Sequence, residues 1–279
     1  MRRAFKQVDV FTSRPLFGNP VAVVLDADGL SDAEMQQMAQ WTNLSETTFV
    51  LPPEDPTASY RVRIFTPRAE LPFAGHPTLG TAHAALEAGL VTPIEGRLVQ
   101  QCAVGLVDVS IDGAMRSFRL PRSAASPAPE AARLFAALGG SRLLADDPQI
   151  LDVGPRWVIG QVTSAQALSA LAPDLAALAD YDRAYGTTGL TLFAITQEGI
   201  SVRSFAPADG IAEDPVCGSG NGAIAAYRLL KGQIGDGDSY LASQGREVGR
   251  DGQVHIRIAG ADVHVGGLCV TCVTGSLSI

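Results

Sequence analysis

Two stretches of the chain repeat one another, and this duplication limits the fold more than any other feature. The first is Val62–Leu86, VRIFTPRAELPFAGHPTLGTAHAAL; the second is Val202–Leu230, VRSFAPADGIAEDPVCGSGNGAIAAYRLL. Phe65 and Pro67 match Phe205 and Pro207 at an offset of 140, and Gly75 matches Gly218 at 143, so the second copy carries three more residues. Each copy reads as a strand, a Pro-bearing loop, a Gly turn and an Ala-rich helix. The separation far exceeds the roughly 20–50-residue period of solenoids, so a duplicated domain is expected. Each lobe then brings one helix N-terminus to a site.

The 279 residues suffice for two domains of ordinary size, and 46% hydrophobic content supplies their cores. A net charge of -8 argues against nucleic acid and against an anionic membrane surface. No apolar run approaches the roughly 18 residues of a membrane span, and Met1–Phe11 lacks the apolar stretch of a signal peptide. A cytoplasmic protein is expected. Cys102, Cys217, Cys269 and Cys272 are too few and too scattered for a disulfide scaffold. Cys269-Val-Thr-Cys272 lies in a β-branched run, where residues three apart point to opposite faces. It reads as two small apolar side chains in a strand, not as a metal or redox motif.

Along the first half, Gln7–Phe11 and Val21–Leu25 flank the turn Phe17–Pro20 as a hairpin or bent strand pair. Ser31 with Glu34 forms a capping box opening a helix from Asp32 to about Asn43. Strands follow at Thr47–Leu51 and Arg61–Phe65, then a helix from Gly75 to about Ala88. Leu98–Leu120 reads as a hairpin turning at Asp112-Gly113. The Pro-rich stretch Pro121–Pro129 marks a boundary: an N-terminal lobe of residues 1–121 and a C-terminal lobe of 122–279, whose last strand can return to the first lobe. The second half has a short helix at Glu130–Leu138, strands at Trp157–Val162 and Thr191–Ile195, and a helical stretch near Ala165–Ala179. Its Gly block opens a helix from about Ser219 to Lys231. An α+β lobe with its sheet curled around one central helix fits this order.

The candidate chemistry gathers at the two Gly turns. Free N–H groups and the partial positive charge of a helix start hold carboxylates well; Gly75, and Gly218 with Ser219, offer this. Gly218-x-Gly220-x-x-Ala223 also matches a loose dinucleotide fingerprint, but the polar loop Ala206–Cys217 separates it from its strand, so that reading fails. Glu46 stands at the entrance to an apolar strand, where partial shielding suits a carboxylate base. Asp214 and Glu213 precede the second Gly block, with Glu70 in the matching place of the first; they could cap helix donors or steer protons. His76 stands at a helix N-terminus, which disfavours its protonated form. His83, two helical turns on, is about 10 Å away, too far to share a metal ion with it. No metal is expected.

Four blocks, VDVFTSRPLFGNPVAVV, LSETTFV, FTPRAELPFAGHPTLGTA and EDPVCGSGNGA, resemble the PhzF-type phenazine-biosynthesis isomerase family, in the same order and over nearly the whole chain. The resemblance implies the diaminopimelate-epimerase-like fold: two pseudo-symmetric lobes, each a barrel-like mixed sheet around a central helix. It implies a homodimer that isomerises trans-2,3-dihydro-3-hydroxyanthranilate without cofactor or metal. It assigns Glu46, His76 and Asp214 to catalysis and Ser219 to the substrate, with Asn19 of the FGNP block lining the cleft. Related racemases use two thiols, one before each Gly turn. Here Cys217 holds one such place, while Ala74 holds the other.

The expected activity is a cofactor-independent proton shift on a small anionic carboxylic or amino acid, bound in the cleft between the lobes. Glu46 removes the proton and returns it, while Asp214 and His76 set its protonation. Two alternatives stay open: an epimerase or racemase using Cys217 with Glu46, and a non-catalytic small-acid binding protein.

Overall fold

A computed structural model describes residues 2–120, 123–140 and 143–279. In chain order the elements are β1 (Arg2–Val10), β2 (Asn19–Val24), α1 (Asp32–Thr42), β3 (Thr47–Leu51), β4 (Tyr60–Phe65), β5 (Glu70–Leu71) and α2 (Gly75–Glu87). Next come β6 (Arg97–Cys102), β7 (Gly105–Asp112), β8 (Met115–Arg119), β9 (Ala124–Pro127), α3 (Ala131–Ala137), β10 (Gln149–Asp152) and β11 (Arg156–Gln161). Then follow α4 (Ala165–Ser169), α5 (Leu175–Tyr185), β12 (Gly189–Ile195), β13 (Gly199–Ala206), β14 (Ile211–Asp214) and α6 (Gly218–Leu230). The chain ends with β15 (Ser239–Gln244), β16 (Gly252–Ala259), β17 (Asp262–Gly267) and β18 (Cys269–Ser278).

Two compact units form, Met1–Phe118 with Gly266–Ile279, and Arg119–Val265. Pro121 and Arg122, where the sequence places the boundary, lie outside the described residues. β18 belongs to the first unit, pairing antiparallel with β1 from Arg2↔Ser278 to Val10↔Cys269.

Each unit is a mixed sheet around one helix, and the duplication is visible in the pairing. In the first, β1 pairs antiparallel with β2, β2 runs parallel to β3, β3 is antiparallel to β4, and β4 takes β5 antiparallel and β6 parallel. In the second, β10, β11, β12, β13, β14 and β15 repeat that series with the same senses. The central helices are α2 and α6. α2 packs on β1, β2, β3, β7 and β18; α6 packs on β10, β11, β12 and β16. Both are buried nearly all round, which explains their Ala and Gly content: small side chains let strands close in on every face. The other helices cover the sheets from outside. α1 packs on Val24, Phe49 and Phe65, and α3, α4 and α5 lie over Ile150, Val158, Leu190 and Leu192.

Local signals explain most boundaries. Ser31 Oγ accepts the Glu34 N–H while Glu34 bonds back to Ser31, and Asn43 ends α1 in the left-handed conformation. Two sequence readings are corrected. Leu98–Leu120 is not one hairpin: the chain also turns at Ala103-Val104, where Cys102 pairs with Gly105, so three strands form. The helical stretch near Ala165–Ala179 is two helices, α4 and α5. Pro173 lies between them, and Asp174 caps the second by accepting the Ala177 N–H at 3.0 Å. No helix among the described residues is long and apolar enough to cross a membrane.

Candidate active site

In the first unit, Glu46 is the last residue before β3. Its carbonyl accepts the Ala22 N–H at 3.4 Å, so β2 fixes its backbone. Its side chain is 14% exposed and meets that of His76, 8% exposed, with Nε2 of His76 at 3.2 Å from Oε2 of Glu46. His76 is the second residue of α2. Burial pulls its imidazole from the ordinary 6.5 to about 3, opposed by a hydrogen bond to the Pro20 backbone. Proline offers only a carbonyl there, so a ring N–H donates to it. With Nε2 turned to Glu46, that N–H is Nδ1. Nε2 is therefore a bare acceptor facing a carboxyl, and the pair attracts when Glu46 carries a proton. Pro20 belongs to the FGNP block. Asn19, beside it, is fully buried at the start of β2 opposite Val10.

Gly75 opens α2 with no side-chain cap. A Cβ there would lie 2.7 Å from the Phe118 ring, so only glycine fits. Pro77 lacks an N–H, and the Thr78 N–H goes to the Ala74 carbonyl at 3.2 Å. The first turn therefore offers the N–H groups of Gly75 and His76.

In the second unit, Asp214 ends β14. Burial lifts its carboxyl from 3.8 to about 6, against the pull of hydrogen bonds from the Val216 N–H and the Cys217 thiol. The Val216 bond is 3.0 Å. Cys217 is the N-cap of α6, its Sγ accepting the Gly220 N–H at 3.2 Å. The Asn221 N–H returns to the Cys217 carbonyl, leaving Gly218 and Ser219 to offer N–H groups. Ser219 Oγ accepts the indole N–H of Trp157 at 3.0 Å and lies 3.6 Å from Cys217 Sγ.

The structure thus gathers Glu46 and His76, with Gly75 one residue away, in one unit, and Asp214, Gly218 and Ser219 in the other. It also shows how the copies diverged. At the offset of 143, Asp214 answers to Leu71, Cys217 to Ala74 and Ser219 to His76. Thr47 pairs with Phe65 and Leu190 with Phe205, so Glu46 answers to Gly189. A Cβ on Gly189 would sit 2.1 Å from the Phe205 carbonyl oxygen and 2.9 Å from the Trp157 ring. Trp157 fills the second unit where Glu46 stands in the first. Glu46 in the first unit and Asp214 in the second therefore stand at non-equivalent positions.

Glu70 and Glu213 are engaged by arginines. Each is held in a two-pronged pair by the arginine on the neighbouring strand: Arg63 Nε and Nη2 at 2.8 and 2.6 Å, Arg203 Nε and Nη2 at 2.9 and 2.7 Å. Sequence reasoning passed over Trp157 and Gln244. The first is one of only two tryptophans, the one signal available; an isolated Gln in a strand gives none. Among the described residues no three His, Cys, Asp or Glu side chains gather as a metal site would need.

Two like units, each a mixed sheet around one buried helix, define the diaminopimelate-epimerase-like fold. The family model for phenazine biosynthesis-like proteins matches residues 8–275, and the chain belongs to that PhzF family. It is 40% identical to the trans-2,3-dihydro-3-hydroxyanthranilate isomerase of Pseudomonas aeruginosa, over 92% of this chain and 91% of that one. It is 39% identical to antisense-enhancing sequence 1 of Schizosaccharomyces pombe, over 98% and 97%. The crystal structure of the Bacillus anthracis phenazine biosynthesis protein of the PhzF family superposes with a TM-score of 0.87 over the full length of both chains, at 23% identity. The chain is an isomerase of this family.

Proposed function

We propose that the chain moves a proton between carbons of a small carboxylic or amino acid, using its own acid–base groups without a cofactor, with trans-2,3-dihydro-3-hydroxyanthranilate as the first substrate to try. The observation that carries this reading is the Glu46–His76 pair at 3.2 Å, its side chains 14% and 8% exposed. Glu46 removes the proton from carbon. The new carboxylic acid then donates a hydrogen bond to Nε2 of His76. An imidazole held near 3 accepts that bond but not the proton. The proton therefore stays on Glu46, shielded from water, until it returns to another carbon. Within each unit the free N–H groups at a helix start, Gly75 with His76 in the first and Gly218 with Ser219 in the second, suit a substrate carboxylate. Asp214, lifted to about 6, supplies a second acid–base group near working pH. Asn19 lies beside Pro20, whose carbonyl holds the His76 ring.

The test is proton NMR of the purified protein with trans-2,3-dihydro-3-hydroxyanthranilate, then with a panel of amino and hydroxy acids. Double-bond migration in any of these supports the reading. Inversion at an α-carbon without migration would replace it with an epimerase.

A further inference from the structure

Gln244 is the last residue of β15 and is 2% exposed. Its Oε1 accepts the Cys217 N–H at 3.1 Å and an Asn221 Nδ2 hydrogen at 2.8 Å. Its Nε2 donates to the Asp214 carbonyl at 3.0 Å. Asn221 Nδ2 also donates to the Cys217 carbonyl at 2.9 Å. One buried amide thus grips the loop before α6 at Asp214, at Cys217 and, through Asn221, inside the helix. Two donors converge on Oε1 and one acceptor faces Nε2, so the amide has a single orientation.

The first unit has the same device in shorter form. Thr78, which answers to Asn221, bonds back from Oγ1 to the Ala74 carbonyl at 2.9 Å. It accepts Gln100 Nε2 at 2.9 Å, and Gln100 Oε1 takes the Tyr60 hydroxyl at 3.1 Å. There the link ends on a tyrosine of β4. Only in the second unit does the glutamine reach the residue at the Asp214 position, and only there is that residue an acid; its counterpart is Leu71.

We propose that Gln244 is a positioning residue for Asp214, holding its carboxyl in register with the N–H groups of Gly218 and Ser219. The inference rests on the proposed role of Asp214. The physical reason is the chain between them: Asp214 reaches α6 through Pro215, Val216 and Cys217, and Gln244 braces both ends of that span at once.

Gln244→Glu keeps the shape and both accepted bonds. It sets an oxygen, in place of a donor, against the Asp214 carbonyl, so that end of the span must move. A displacement near 1 Å at a reacting group lowers turnover about 100-fold. The expected result is a folded variant, by thermal unfolding, whose kcat falls about 100-fold with KM changed less than about threefold. Its acid limb should move to higher pH, because a second buried negative charge disfavours ionised Asp214. The decisive measurement is the double variant. If Gln244 acts through Asp214, Gln244→Glu in an Asp214→Asn background gives no further loss. Should Gln244→Glu fail to fold, Gln244→Met takes its place in the same cycle, with the same non-additive result expected. Wild-type kcat and pH profile in a folded Gln244 variant, or losses that multiply, would overturn the inference. Full turnover in Asp214→Asn alone would instead remove the catalytic role of Asp214 on which it rests.

Discussion

Replacing Asp214 by Asn should make the protein more stable while it loses turnover, and the gain should depend on pH. Burial raises this carboxyl from 3.8 to about 6. A raised carboxylate binds its proton more tightly in the folded state, so the native fold is penalised as the group ionises. The penalty is nearly absent below the unfolded value, grows between about pH 4 and 6, and is complete above the folded value. Two proton equilibria at those values give about 0.5 kcal/mol at pH 4 and about 3 kcal/mol at pH 8. Asp214 keeps some contact with water, so about 1–2 kcal/mol is the working figure at pH 8. At about 2–4 °C per kcal/mol for a unit of this size, Asp214→Asn should unfold a few degrees above wild type at pH 8 and at about the same temperature at pH 4. Asn can still accept the Val216 N–H, so the loop keeps that bond. Calorimetry of both proteins at the two pH values measures it. A difference that does not change with pH, or a variant less stable at pH 8, would refute the account of a desolvated acid.

Other substitutions test other parts of the site. Trp157→Phe keeps the ring bulk but removes the N–H that Ser219 Oγ accepts at 3.0 Å; steady-state kinetics should show KM up about tenfold with kcat little changed, the loss of roughly one hydrogen bond. Cys217→Ala removes a helix cap worth about 1 kcal/mol and should leave turnover within about tenfold of wild type, whereas complete loss would favour the thiol-based epimerase. Gly189→Ala forces a Cβ against the Phe205 carbonyl oxygen and the Trp157 ring, so denaturant unfolding should show a loss of about 1–3 kcal/mol.

Much of this molecule was legible in its sequence, because the informative signals were local. The capping box at Ser31 and the Gly turns at Gly75 and Gly218 place three helices within a residue or so. The repeat at Val62 and Val202 shows the duplicated architecture before any strand is paired. What stayed hidden depended on strand registry. Glu70 and Glu213 sit next to the Gly blocks in sequence, yet β4 and β13 offer each an arginine across the ladder, a pairing that no local signal announces. Gln244 and Trp157 lie 27 residues after and 62 before the groups they touch, with no periodicity to connect them. Gly189 belongs to no motif in the sequence; its place as the counterpart of Glu46 appears only when β12 is aligned on β13. His76 was visible at its helix start, but its tautomer depends on the Pro20 carbonyl, supplied by β2, 56 residues earlier in the sequence.

The central claim is that Glu46 is the base. The most direct measurement follows trans-2,3-dihydro-3-hydroxyanthranilate by proton NMR in heavy water with wild type and Glu46→Gln side by side, after unfolding curves show both proteins folded. Conversion by wild type, slowed by about two to four decades in the variant, is the predicted result. A folded Glu46→Gln protein that converts substrate at the wild-type rate would contradict it.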